Sequence, residues 1–129
     1  MPDKSPAAAP GRRIVNIHSS SYRVYDMEGP VQRDMSYLPL TYDAQGHRMG
    51  FYAIRMEPGA VTIPHTHQYN EDYLILEGDL VEPDGRVLGP GDFVHYDPGT
   101  RHNSRSETGC LLIGCDWGNP ADVEKSQTS

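Results

Sequence analysis

GAVTIPHTHQYNEDYLILEG, residues 59–78, is the stretch on which the reading of this chain turns. His65 and His67 stand at i and i+2. On an extended strand the pleat puts both imidazoles on one face, one repeat apart, where they can converge on a single ion. Glu71 follows, separated from His67 by Gln68-Tyr69-Asn70. A turn there brings a carboxylate back to the same ion from the next strand. Imidazole with carboxylate suits Fe(II), Mn, Ni, Co and Zn, and without thiolate the soft-metal sites are disfavoured. A fourth donor must come from elsewhere in the chain. His102, just past the Pro98-Gly99-Thr100 turn, is the best placed.

Outward from this stretch, short β-branched and aromatic runs alternate with turn signals, and helical periodicity is scarce. The expected strands are Ile14–Ile17, Tyr22–Tyr25, Ser36–Tyr42, Met49–Met56, Val61–His67, Asp72–Leu76, Leu80–Glu82, Arg86–Leu88, Asp92–Tyr96, His102–Ser106 and Leu111–Cys115. Pro83-Asp84-Gly85 reads as a hairpin turn. Strands this closely spaced imply an all-β barrel or sandwich. Residues 1–12 and 119–129 read as flexible tails around a single domain spanning 13–118.

The bulk numbers narrow the partners. With 129 residues the chain can bury one real core. A net charge of −7 and no basic stripe argue against nucleic acid and anionic membrane. No run reaches the length of a membrane span or a secretion signal, and two cysteines do not make a disulfide framework. Cys110 and Cys115 have opposite strand parity and should not bridge within their strand. Both are read as packed small hydrophobes, and the protein is expected in the cytoplasm.

The pattern Gly59-x5-His65-x-His67-x3-Glu71-x6-Gly78 resembles the first motif of the cupins, G(X)5HXH(X)3-4E(X)6G, at every fixed position. Chance supplies such a match on the order of once in ten thousand chains of this length. The second cupin motif, G(X)5PXG(X)2H(X)3N, is matched at Gly91, Gly99 and His102, with Asp97 in place of its Pro and Ser106 in place of its Asn. Pro-Gly-Thr-x-His followed by residues 107–112 is similar to small cupins related to the metal domain of the ChrR anti-sigma factor and to diketone-cleaving dioxygenases. The resemblance implies a double-stranded β-helix (jelly-roll) barrel of the cupin, RmlC-like kind. It also implies one divalent metal per chain held by His65, His67, Glu71 and His102, and a homodimer formed through the outer sheet.

Three functions follow from such a site. The first is a non-haem Fe(II) dioxygenase acting on a small carbonyl, enol or aromatic compound. The second is a non-redox isomerase, lyase or decarboxylase using Mn, Zn or Ni as a Lewis acid. The third is a non-enzymatic module that senses a metal or ligand. His95 shares parity with Phe93 and Asp97 and is a candidate supporting group or proton carrier, the alternative being an outward or packed histidine. Tyr73 and Glu57 are further candidate bases. Arg55, Tyr52 and Tyr69 are candidates for substrate binding; Arg55, if it points inward, would anchor a carboxylate or enolate. Parity separates Tyr52, Ile54 and Met56 from Phe51, Ala53, Arg55 and Glu57 without saying which set faces the interior. Trp117 is expected to cap a core or interface, and His18 and His47 have no assigned role.

Overall fold

The computed structural model describes residues 9–118, so most of both expected tails lies outside the described residues. Ten strands make up the regular structure: β1 Arg23–Tyr25, β2 Gln32–Pro39, β3 Gly50–Met56, β4 His65–Thr66, β5 Asn70–Gly78, β6 Leu80–Val81, β7 Val87–Leu88, β8 Phe93–Tyr96, β9 Arg101–His102 and β10 Cys110–Trp117. No helix among the described residues is long and apolar enough to cross a membrane. Every strand pairing is antiparallel.

One layer is a six-stranded sheet in the order β1-β2-β3-β10-β5-β8. The facing layer is built from the β4-β9 and β6-β7 pairs, joined by bridges from Arg105 to Val61 and to Val81. The expected strands Val61–His67 and His102–Ser106 shrink to β4 and β9. Pro64 has no N–H to give the ladder, yet the segments stay bonded through Thr62 N to Ser104 O (2.8 Å) and Ser106 N to Ala60 O (3.0 Å). The expected strand at Ile14–Ile17 does not form. The Asn16 side chain accepts hydrogen bonds from the amides of His18 (2.8 Å) and Ser19 (3.1 Å), and this turn competes with extension. The Pro83-Asp84-Gly85 turn is observed, closed by Glu82 N to Arg86 O at 3.0 Å.

Register decides which side chains meet. Tyr37, Ile54, Leu112 and Ile75 form one inward row across β2, β3, β10 and β5. The next inward row is Tyr52, Gly114, Tyr73 and Val94. The row nearest the mouth is Asp116, Glu71 and Tyr96. Gly114 lies under the Tyr52 ring, where an added Cβ would sit 2.6 Å from a ring carbon. Fully burying a side chain such as Ile75 stabilises the fold by about 1.5–3 kcal/mol. Tyr25, Tyr37, Tyr42 and Tyr52 form an edge-to-face chain with centroids 6.3, 6.4 and 5.5 Å apart.

The outer face of the large sheet is half covered. Arg55, Leu111 and Glu77 form one outward row. The Arg55 guanidinium lies 5.0 Å from the Tyr22 ring centre, and His18 Nδ1 is 3.9 Å from Glu77. Leu111 beneath them is 1 % exposed, whereas Phe51, Phe93 and Trp117 farther along are 51 %, 63 % and 46 % exposed. Cys110 points inward and Cys115 outward, and both are free thiols.

Candidate metal centre

The strand register builds the centre directly. His65 and His67 share a face two residues apart, and His65 pairs with His102 across β4 and β9. Antiparallel partners project to the same side, so three imidazoles leave the small layer together. Glu71 meets them from β5 in the opposite sheet. One ligand atom from each of His65, His67, Glu71 and His102 lies within 4.8 Å of all the others. Glu71 Oε1 is 3.2 Å from His67 Nε2 and 3.7 Å from His102 Nε2.

The outer nitrogen of each ring is held by the protein. His65 Nδ1 is 2.8 Å from Ile63 O, which can only accept. His67 Nδ1 is 2.8 Å from Thr100 Oγ1. That hydroxyl donates its single proton to Asp97 O at 2.8 Å, so it accepts from His67 Nδ1–H. His102 Nδ1 donates to Glu82 Oε2 at 3.2 Å. In each case Nε2 is turned toward the cluster. The Nε2 atoms of His67 and His102 are buried with no hydrogen-bond partner. Two orphaned imidazole nitrogens beside a buried carboxylate are a costly arrangement without a cation. The donor set therefore fits a divalent ion, and supporting oxygens on the far side of each ring are what metal-binding histidines require.

Glu82 is the main support that sequence reading missed. Its buried carboxylate accepts from Tyr73 Oη, from Ser104 Oγ at 2.7 Å and from His102. Burial opposes its charge, but the bonds from His102, Tyr73 and Ser104 outweigh burial and hold its pKa below the usual range. Beside a hairpin turn it reads as a solvated residue, and only the fold buries it. Tyr96 is the second omission: its ring stacks on His102 at 4.1 Å and lies 5.2 Å from that of His67. Glu28, on the β1–β2 loop, places Oε1 3.9 Å from His65 Nε2. Burial is the main cause that raises its pKa. Asp116, beside Glu71, is pushed up to about 8 by burial and by the Glu71 charge.

Two cavities border the centre. A mouth of about 280 Å³ is lined by Glu28, Arg48, His65, His67, Tyr69 and Glu71 among others. A smaller apolar cavity of about 50 Å³ lies behind, walled by Met35, Tyr52, Ile54, Met56 and Leu112 and reaching His65, Glu71 and His102. A third hollow of about 580 Å³ lies along β7 and β8, backed by Tyr96 and His102.

Residues 18–117 match the family of ChrR cupin-like domains. The chain belongs to that family. The sandwich described above is accordingly a cupin jelly roll, as solved structures of the same architecture also show. An RmlC-like cupin from Shewanella frigidimarina is similar at 19 % identity and TM-score 0.64, covering 81 % of this chain and 89 % of its own. The polyketide cyclase RemF from Streptomyces resistomycificus gives 19 % identity and TM-score 0.64, with 90 % and 93 % covered. A chain in the complex of SigE with the anti-sigma ChrR from Rhodobacter sphaeroides gives 16 % identity and TM-score 0.62 over 79 % of this chain. This cupin spans about half of that chain, 51 %. No curated protein matches the sequence.

The remaining sequence candidates of this cupin are dispersed. His95 points away from the metal centre: Val94 and Tyr96 take the inward positions of β8. It sits outside between Asp72 Oδ1 (2.5 Å) and Asp97 Oδ1 (2.8 Å). Arg55 is likewise on the outer face, over Tyr22, and cannot anchor a ligand at the centre. Glu57 is exposed, just past the end of β3. Tyr73 points inward, but its hydroxyl donates to Glu82. Burial and the Glu82 charge raise its pKa, so it is no free base. Tyr52 lines the inner cavity and donates to Asp116 at 2.8 Å. Tyr69 reaches the mouth, its hydroxyl donating to His47 O at 2.9 Å. Trp117 is half-exposed and donates to Asp72 at 2.7 Å.

Proposed function

We propose that this cupin is a metal-dependent enzyme for a small carbonyl or enol compound, with one divalent ion held by His65, His67, Glu71 and His102. The observation that carries this reading is the pair of buried, unpartnered Nε2 atoms facing Glu71 between an accessible mouth and an apolar inner cavity. A structural metal site is closed, whereas a catalytic one leaves positions free. Four protein donors leave two octahedral positions for a chelating substrate, or for substrate and O2. When bound, Fe(II) would supply the dioxygen chemistry that cleaves or oxidises such a substrate.

The chain's own residues have separable tasks in this reading. Glu82 and Thr100 keep the imidazoles in the metal-binding tautomer. Glu71 supplies negative charge. The apolar inner cavity takes the hydrocarbon part of a substrate or a diatomic gas and keeps water away. The fold is shared with RemF, a polyketide cyclase, which supports an enzymatic reading of the site.

A second reading is non-redox Lewis-acid chemistry with Mn, Zn or Ni. The observation in its favour is the Glu28 carboxylate at the mouth, 3.9 Å from His65. Exposed Phe51, Phe93 and Trp117 on the outer sheet support a homodimer through that face.

The test is elemental analysis of protein purified without added metal, followed by O2 uptake after anaerobic Fe(II) loading against diketones and aromatic diols. Iron near one per chain with substrate-dependent uptake is the expected result. Zinc or manganese with no uptake moves the assignment to Lewis-acid chemistry, and no retained metal refutes both readings.

A further inference from the structure

Arg55 lies outside the barrel, and neither it nor Arg23 or Arg33 of the large sheet lines the mouth of the metal centre. The mouth is acidic: Glu28, Glu71 and Asp116 line it, and Arg48 is the one arginine or lysine among its lining residues. Arg48 comes from the β2–β3 loop. It adopts φ 60° and is the sole non-glycine with positive φ among the described residues. That conformation is disfavoured for any residue with a Cβ, so it persists where surrounding contacts hold it.

Those contacts fix the guanidinium. Nη2 donates to Met27 O at 2.6 Å and Nε to Tyr42 Oη at 3.3 Å. Both acceptors are neutral. Among the described residues the one arginine–carboxylate ion pair is Arg105 with Glu107, so Arg48 has no carboxylate within ion-pair distance. A guanidinium has five N–H donors in a rigid fork, and Nη1 forms no hydrogen bond with any described residue. A fork oriented by neutral oxygens beside a metal-binding cluster has the geometry that receives a carboxylate. It also answers a local electrostatic need, because Glu28 lines the same rim and would repel a distal carboxylate that met no cation there.

We propose that Arg48 anchors a carboxylate at the end of the substrate remote from the metal. The site then takes small chelating oxo acids or diketones that carry a second, distal carboxylate. A mouth of about 280 Å³ suits a molecule of that size. This inference rests on the metal reading above.

The experiment uses the whole protein loaded with Co(II), whose visible absorption reports chelation at the ion. Cobalt uptake is measured first; wild-type protein that takes none overturns the metal reading, and this inference with it. The loaded protein is then titrated with 2-oxoglutarate and 2-oxoadipate, and with 2-oxovalerate and 2-oxohexanoate, which chelate identically but lack the distal carboxylate. The expected wild-type result is about tenfold tighter binding of a diacid than of its monoacid partner. Arg48→Gln should abolish that preference while moving monoacid affinity by less than about twofold, and Arg48→Lys should fall between. Equal loss of diacid and monoacid binding in a cobalt-loaded Arg48→Gln protein overturns the anchor and leaves Arg48 as a prop for the Met27 loop. No diacid preference in the wild type overturns it without recourse to any variant.

Discussion

Metal binding to this protein should release a proton, and His102 sets how strongly pH controls affinity. With no ion bound, burial opposes a charged His102, but the Glu71 and Glu82 carboxylates beside it win and hold the imidazolium up to about 9. A metal takes only the neutral ring. At pH 7 a group with a pKa of about 9 is neutral in about 1 % of molecules, so apparent affinity lies on the order of 100-fold below its alkaline plateau. Between pH 7 and 8.5 the log of the Co(II) dissociation constant should fall by about one for each pH step of one. Calorimetry at pH 7 in buffers of different ionisation enthalpy should show about one proton released per ion. Glu82→Gln removes a charge that raises the His102 pKa, so the plateau should begin at a lower pH in that variant. Stoichiometric metal binding with no proton release and flat affinity from pH 7 to 8.5 would refute this account of His102.

Further outcomes are expected. Thr100→Val deprives His67 Nδ1–H of its acceptor and should weaken metal binding about 10-fold or more while the barrel stays folded; unchanged affinity would mean that Thr100 does not orient the ring. His65→Ala and His102→Ala should each strip most of the metal, and full retention in both would sink the ligand assignment. In metal-free protein the Glu71–His102 pair should stabilise the fold most between about pH 4.5 and 6.5. The raised His102 contributes fully below its unfolded value and fades as pH rises through about 9. Glu71, which burial would raise but the neighbouring His102 and His67 imidazoles lower to about 2, contributes above its unfolded value and fades as pH falls toward that figure. Thermal unfolding in chelator across this range, with an optimum displaced to higher pH once metal is added, is the measurement; an optimum near pH 9 in chelator would contradict it. Gly78→Ala should cost at least about 2 kcal/mol in chemical denaturation. Gly78 has φ +80°, and an added Cβ would lie 1.9 Å from Gly109 O.

The sequence by itself determined the all-β character and the grouping of His65 with His67. The strand pleat has a period of two whatever the rest of the chain does, and the cupin spacing pointed to Glu71 and His102 as their partners. It could not determine which face of β3 or β8 is interior. His18 and Tyr22 contact the outer face of the large sheet at Glu77 and Arg55, and Leu111 between those two is buried on the outside almost as fully as Ile75 is within. With both faces partly apolar, alternation separates two sets of side chains without ranking them. That is why His95 and Arg55 remained candidates until the fold placed Tyr96 and Tyr52 inside. The supports were hidden for a different reason. Glu28, Arg48 and Glu82 lie outside the cupin motifs, on loops or beside a turn, where a charged residue ordinarily means solvent. Only the tertiary fold brings Glu82 under His102 within the small layer, and only the approach of the two layers brings Glu28 beside His65 and Arg48 to the rim of the mouth. Local periodicity acts within a strand, whereas these contacts depend on how far apart and in what register the layers pack, and that is a property of the whole chain.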